Sequence, residues 1–285
     1  MSIYGNLQYE IDRPQPSELF LKARQIAGCQ LQEQFWKLNT GIPDECYDSF
    51  KWIKSELTYP SFDPITFAYK NAVFSVIIEL IDEDQTSMTK NQIERLVKAT
   101  EKNNIIPCVF RLKMKRKQRK SFHRLINTQN SQQSQDLEMI PINNEWNLCH
   151  IRTGIEVIPE NIGNEEEIKM SNWELQNFAI QIVRNGLERE GISVLSFCDL
   201  LEVNPQIWFR DKQGNICWSI VKHITGKPEE KFQEWVGFEN ANPKLKDFDG
   251  FFAAVQFNST RHNGLIRGDC MNFKYSGLKR IYVKL

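Results

Sequence analysis

The chain shows no excess of either charge. Its 36 lysine and arginine residues are balanced by 36 aspartate and glutamate residues. Overall charge therefore favours neither a nucleic acid nor a membrane as partner, and any electrostatic site has to be local. A hydrophobic share of 41% is enough for a packed core, so the composition excludes wholesale disorder.

Long apolar runs and cysteine pairs are missing too. The longest apolar stretch, around "AVFSVIIELI", has about half of the ~20 residues that a membrane helix needs. The first residues lack the basic start and apolar run of a signal peptide. Seven cysteines without a Cys-x-x-Cys pair fit reduced thiols better than disulfides or zinc ligands. We expect a cytoplasmic protein without a membrane partner.

The motifs of several enzyme classes are also absent. No Gly-x-Ser-x-Gly, Walker A loop or Gly-x-Gly-x-x-Gly occurs, which weighs against α/β-hydrolases, P-loop NTPases and dinucleotide binders. The four histidines lie far apart, and none has the helical spacing of a zincin site. We therefore predict no metal site and no cofactor from these motifs.

Periodicity and turn signals predict an α+β (or α/β) fold with two small mixed sheets, each flanked by helices. We predict an N-terminal α/β unit over residues 1–120, a flexible polar linker or loop over 121–140, and a C-terminal α/β unit over 141–285. The boundary follows from a change in character after Arg111, where a basic run leads into the polar segment "NTQNSQQSQD". The whole of 111–136 is interpreted as flexible.

In the first unit, helical spacing predicts a helix over 14–40 and a short one over 48–57. The segment "ITFAYKNAVFSVIIELI" predicts an outer strand, a turn at Lys70-Asn71 and a buried central strand. A helix within "TKNQIERLVKATEKNN" and a strand at "IIPCVFRL" complete this unit.

In the second unit, "WNLCHIRTGIEVIP" predicts two short opening strands. The clearest helix is "SNWELQNFAIQIVRNGLEREG", with a capping box of Ser171 and Glu174 and a stop at Gly191. Strands at "ISVLSF" and "GFFAAVQF" enclose the hairpin "PQIWFRDKQGNICWSIVK", and a terminal hairpin is predicted to turn at Ser276-Gly277. The two units follow a similar order, so a duplicated unit is a hypothesis.

Residues 171–222 resemble the core of restriction-endonuclease-like proteins, the PD-(D/E)xK family, in their order of helix, strand and hairpin. Glu174 would be the helix acid, Pro205 the motif proline and Lys222 the motif lysine. The resemblance implies a site in which carboxylates hold Mg²⁺ and the lysine stabilises developing charge. Glu174 and Lys222 would then be catalytic.

This sequence departs from that motif at both acidic positions. Gln206 stands where the first acid belongs, and Ile220 stands two residues before the lysine. Neither side chain can supply a carboxylate ligand. The nearby acids Asp199, Glu202 and Asp211 lack the required offset.

The first hairpin offers no better match, because Ile81 occupies the position two residues after Glu79. A degenerate nuclease-like fold and an unrelated α/β unit both remain open, beside an active nuclease with a non-standard site.

A basic run is the strongest local charge. Its lysines and arginines could neutralise phosphates and bind nucleic acid without sequence preference, whereas the alternative is a solvated loop. The candidate residues are Lys113, Lys115, Arg116, Lys117, Arg119 and Lys120.

These patterns favour a non-catalytic binding or structural module over an enzyme. A protein partner is expected, because aromatic residues are plentiful in the second unit and could form a surface as well as a core. Nucleic acid through the basic run is a further partner to test. The alternative is a metal-dependent nuclease, and only that alternative needs Mg²⁺.

Overall fold

The computed structural model of the chain describes its helices and strands over most of both predicted units. The described residues are 17–39, 50–53, 65–82, 85–86, 90–116, 137–143, 145–164, 166–201, 203–259, 264–267 and 271–283. Among them, no helix is both long and apolar enough to cross a membrane.

Five helices and thirteen strands are described, numbered here in chain order. The helices are α1 (Glu18–Asn39), α2 (Lys90–Glu101), α3 (Pro159–Ile162), α4 (Asn172–Arg189) and α5 (Pro228–Gln233). Two 3₁₀ turns follow α5, at Phe238–Asn240 and Pro243–Asp247.

The strands divide between two sheets. Those of the first sheet are β1 (Phe50–Ile53), β2 (Ile65–Tyr69), β3 (Ala72–Asp82), β4 (Gln85–Thr86), β5 (Ile106–Arg116), β6 (Leu137–Pro141) and β7 (Leu148–His150). Those of the second sheet are β8 (Ser193–Phe197), β9 (Ile207–Arg210), β10 (Ile216–Ile224), β11 (Asp249–Ser259), β12 (Met271–Tyr275) and β13 (Lys279–Tyr282).

Both sheets are mixed, which confirms the predicted fold class. The first has the order β1-β2-β3-β5-β6, in which β3 and β5 are parallel and the other neighbours antiparallel. The second has the order β8-β9-β10-β11-β12, in which only β10 and β11 are parallel. A further strand pairs with the fourth strand of each order, β7 with β5 and β13 with β11, and β4 pairs with β3 in the first sheet. Duplication stays a hypothesis, although the two strand orders agree.

Several element predictions were wrong. The short helix predicted over 48–57 is replaced at Phe50–Ile53 by β1, which pairs with β2, so β2 is not the outer strand. Residues 111–116 are the end of β5, held by pairing with β6, and are not part of a loop. The strands on either side of Ser276-Gly277, β12 and β13, both pair with β11. They therefore do not form the predicted hairpin with each other.

The predicted division into units stays a prediction, but the sheets assign two segments differently. The strand β6 begins within the predicted linker, and β7 lies in the predicted C-terminal unit. Both pair with β5 and therefore belong to the first sheet. No local pattern predicts this return of the chain, because pairing with β5 depends on residues that are distant in the sequence.

The helix α1 covers one face of the first sheet. Its buried positions Ala23, Ala27, Leu31 and Phe35 recur at helical spacing and join a core with β2, β3 and β5. A smaller core on the other face, around Leu96 of α2, includes residues from outside the first sheet. The second unit thus contributes to the core of the first.

The helix α4 begins with the predicted capping box and covers one face of the second sheet. Gly191 follows it with φ of 76°, the left-handed conformation that favours glycine after a helix. On the other face, Trp218 lies over Gly250, where a Cβ would come within 2.2 Å of the indole ring. That close approach explains why glycine stands opposite Trp218 in the parallel pair.

Candidate functional site

Glu174, the helix acid of the nuclease resemblance, is buried in a structural ion pair. Its Oε2 accepts a hydrogen bond from the backbone N–H of Ser171, as a capping box requires. The guanidinium of Arg267 donates to both carboxylate oxygens at 2.8 Å, and both side chains are 3% exposed. The carboxylate therefore already has its charge partner.

Arg267 also connects the second unit to the first. Its Nη1 donates to the carbonyl oxygens of Asn71 and Asn104, and its Nη2 donates to that of Asn103. These carbonyls lie in the β2–β3 turn and just after α2. The bidentate pair and three carbonyl acceptors satisfy the guanidinium without solvent.

Gln206, at the position of the first motif acid, completes the backbone pairing of β10. Its own N–H donates to the carbonyl of Ser219, and its side-chain oxygen accepts from the N–H of Val221 at 2.8 Å. Its side-chain nitrogen donates to the carbonyl of Val203 and to Asn204. The amide is fully buried and bridges the entry to β9 and the middle of β10.

A second buried amide acts on the same part of β10. Gln176 of α4 donates to the carbonyl of Val221 at 2.6 Å and accepts from the N–H of His223. Towards the C-terminal end of β10, pairing with β9 stops at Ser219, which lies opposite Ile207. The two glutamines thus supply hydrogen bonds to β10 beyond the point where β9 begins, which a glutamine can do because it carries both donors and an acceptor.

Ile220, at the position of the second motif acid, lies in an apolar core. It is fully buried with Trp208, Trp218 and Phe252, and residues of α5 and the 3₁₀ turns close this core. Trp218 directs its Nε1–H to the carbonyls of Leu245 and Phe248, at 3.2 Å each. This part of the hairpin is therefore packed with hydrocarbon at the place where a nuclease would hold a carboxylate.

Lys222 lies at the rim of this aromatic core. Its Nζ is 5.0 Å from the centroid of the Trp235 ring, a cation–π distance. The neighbouring His223 has a lowered pKa because of burial and because of the positive charges of Lys222 and Lys231. The lysine therefore lies against an aromatic ring and next to His223.

Two other acids near the hairpin, Asp199 and Asp211, accept hydrogen bonds from neighbouring residues. Asp199 is fully buried and accepts a hydrogen bond from Asn177 of α4 at 2.8 Å. Burial alone would raise the pKa of Asp211, but hydrogen bonds from Asn215 and Gln213 in the β9–β10 turn outweigh it and lower that pKa. Glu202 lies outside the described residues.

No metal-binding cluster is present in the part of the chain that the structure describes. There, no three His, Cys, Asp or Glu side chains lie where they could hold one ion. In the first hairpin, Glu79 pairs with Arg111 at 2.7 Å, and this hydrogen bond raises the pKa of the guanidinium.

The basic run begins on a strand. Lys113 and Lys115 are exposed and point to the same side of β5, since side chains alternate along a strand. Glu138 of β6 lies opposite Lys115 in the pair. Arg116 ends β5, whereas Lys117, Arg119 and Lys120 lie outside the described residues.

The polar residues that organise the site were not predicted from the sequence. Gln176 and Asn177 stand in an otherwise apolar stretch of α4, and this interruption was an available signal for buried amides. No local pattern marks Arg267, because its partners lie 93 to 196 residues away along the chain.

The second unit, but not the whole chain, matches a known family model. Residues 173–281 match the family described as Domain of unknown function (DUF8840). The match runs from the start of α4 into β13 and covers less than half of the chain. No curated protein and no solved structure matches the chain. The similarity therefore marks the second sheet and its helices as a recognisable unit without assigning an activity to it.

Proposed function

We propose that this chain is a non-catalytic binding protein whose second unit has a nuclease-like framework without a metal site. The order α4, β8, β9, β10, α5, β11 follows the order of elements in the resemblance. The residues at its catalytic positions serve folding instead of chemistry.

The single observation that carries this proposal is the set of hydrogen bonds that the Gln206 side chain makes to the backbone. Its amide is buried and hydrogen-bonded to the backbone on both sides of the hairpin entry. A carboxylate could accept from Val221 but could not donate to Val203, so an acid here would leave a buried carbonyl without its partner.

Ile220 and Glu174 support the same proposal. A carboxylate at position 220 would be surrounded by aromatic rings, where burial strongly disfavours the charged form. Glu174 is neutralised by Arg267 and would have to give up that pair to bind a cation. None of the three positions thus offers an available carboxylate.

The partner we propose is a protein surface, not a nucleic acid or a small molecule. Among the described residues, large apolar side chains are exposed on a helix and on a sheet edge, including Leu21, Trp36 and Phe273. Trp36 is 65% exposed, and exposed aromatic side chains are frequent anchors of protein interfaces.

A cleavage assay tests the non-catalytic part. The purified chain is incubated with single- and double-stranded DNA and RNA, with Mg²⁺ or Mn²⁺, beside Lys222→Ala. We expect no cleavage by either protein. Metal-dependent cleavage by the wild type that disappears in Lys222→Ala would favour the nuclease alternative.

Nucleic-acid binding through the basic run is a second candidate, favoured by the exposure of Lys113 and Lys115 on one side of β5. Phosphate contacts of this kind are sensitive to salt. Alanine at Lys115, Arg116, Lys117 and Arg119 would then abolish retention on heparin or DNA. Unchanged retention would reject this candidate.

A further inference from the structure

The outer face of α1 carries apolar and charged residues that remain exposed in the folded chain. Leu21 and Trp36 are 49% and 65% exposed, and Cys29 between them is exposed as well. The inner face packs against the first sheet, since Ala23, Ala27 and the other core positions are buried there. The outer face is thus an accessible surface on a helix that is anchored to the first sheet.

Four charged residues on this face have a symmetric arrangement. Glu18, Lys22, Glu33 and Lys37 are separated by four, eleven and four residues, which correspond to about one, three and one helical turns. They therefore lie along one side of the helix. Reading the helix backwards exchanges each acid for a base: Glu18 exchanges with Lys37, and Lys22 with Glu33.

The apolar residues repeat this symmetry. Leu21 and Trp36 are equally far from the middle of the Gly28–Cys29 bond. The centre of the charge pattern lies one residue earlier, which is only about 1.5 Å along the helix. A Cβ added to Gly28 would meet no other heavy atom within 4 Å, so the middle of the face is open.

We propose that a second copy of this chain docks on this face, with the two α1 helices antiparallel and crossing near Gly28. A two-fold axis perpendicular to the plane of the two helices makes them antiparallel. Each side chain and its symmetry-related copy then lie on the same side of that plane. Glu18 then meets Lys37 of the second copy, Lys22 meets its Glu33, and Leu21 meets its Trp36. A parallel arrangement would instead place like charges together.

The pairing is a weak one. The contact consists of one side of a single helix, which has 22 residues and is about 33 Å long. Such a contact buries less surface area than the interface of a stable dimer usually does. Glu33 and Lys37 are also paired within the helix at 3.0 Å, so part of the charge attraction is already satisfied. We therefore expect a dimer whose population depends on protein concentration.

Sedimentation of the full chain over a range of concentrations tests the docking. Trp36→Glu and Leu21→Glu place charge in the apolar contact and should raise the dimer dissociation constant at least ~tenfold. Lys22→Glu and Glu33→Lys should each weaken the dimer, because each brings like charges together. The double variant carrying both changes should recover it, since the opposite charges meet again.

Recovery in the double variant is the result that a merely destabilised helix would not give. Thermal unfolding of each variant establishes that it is folded, as expected for exposed positions. A wild-type chain that stays monomeric at every concentration would overturn the proposal, and the face would then be left to a different protein. Equal dimerisation of all variants would also overturn it, because the contact would lie elsewhere.

Cross-linking at Cys29 provides an independent readout. The axis passes close to this residue, and paired helices lie about 8–10 Å apart, so bis-maleimidoethane should join the two thiols. Cys29→Ser is the matched control and should remove the cross-linked species. A species that persists in Cys29→Ser, or none in the wild type, would contradict the crossing point. The proposal names the protein partner of the proposed function, but its tests fail separately from the cleavage assay.

Discussion

The two sheet units share their strand order and directions but differ at the turn between their second and third strands. In the first unit, Asn71 in this turn is buried and bonds to Asn164 and to the backbone of Glu166. In the second unit, the corresponding turn is exposed and held by Asp211 and Asn215. The difference shows that the first hairpin is used as an internal contact and the second is left open.

The units also differ in how they fill their cores. Among the described residues, the cores on both faces of the second sheet, including the aromatic core around Trp218, are formed by residues of the second unit. One core of the first unit instead includes Trp173, from the first turn of α4. The first unit therefore depends on the second for a buried tryptophan and for the guanidinium of Arg267.

The largest expected effect comes from breaking this dependence at Arg267. Arg267→Met leaves Glu174 buried without its partner and removes the donor from three carbonyls. We expect the free energy of unfolding in urea to fall by about 3–5 kcal/mol. Arg152→Met is the matched control, because Arg152 forms an equally short pair with Glu101 at the surface. It should change stability by no more than about 1 kcal/mol.

A large loss in both variants, or in neither, would contradict the distinction between the two pairs. It would mean that the ion pair between the units stabilises the fold no more than a surface contact does.

The difference between the turns is tested by alanine at each of them. Asn71→Ala removes a buried amide that donates to Asn164 and Glu166 and accepts from the N–H of Asn164, so we expect a loss of about 1–3 kcal/mol. Asn215→Ala removes an exposed amide and should stay within about 0.5 kcal/mol. Chemical denaturation measures both. Equal losses would show that the two turns contribute alike.

The smallest expected effect concerns pH and His223. Its folded-state pKa is lowered by burial and by Lys222 and Lys231, so the unfolded chain takes up this proton first as the pH falls. The contribution of His223 to stability is therefore present above its unfolded pKa of about 6.5 and decreases as the pH falls below that value. His223→Gln should be less sensitive to pH than the wild type between about pH 7.5 and 5.5. Parallel pH profiles of the unfolding midpoint would contradict this.

Elements that depend on interactions between residues close in the sequence could be predicted, whereas elements that depend on distant residues could not. The helix α4 was predicted because Ser171, Glu174 and Gly191 are local signals for its ends. The hairpin of β9 and β10 was predicted for the same reason, through its turn and its alternating residues. Local signals misled at Phe50–Ile53, where pairing with β2 produces a strand in place of the predicted helix.

The organisation of the site could be predicted only in part. Gln206 and Ile220 were identified as positions without carboxylates, but their roles depend on Val203, Val221 and the aromatic core. Arg267 was not identified, because its contacts join segments that are distant in the sequence. Long-range pairs of this kind leave no periodicity to detect.

The central claim is that Gln206 holds the hairpin together and does not stand in for a metal ligand. The most direct test is the free energy of unfolding of Gln206→Asp, measured with and without Mg²⁺. Gln213→Asp, in the exposed turn of the same hairpin, is the control. We predict that Gln206→Asp loses at least about 1–3 kcal/mol and that Mg²⁺ does not restore it. Recovery that grows with the Mg²⁺ concentration in Gln206→Asp alone would reveal a latent metal site and contradict the claim.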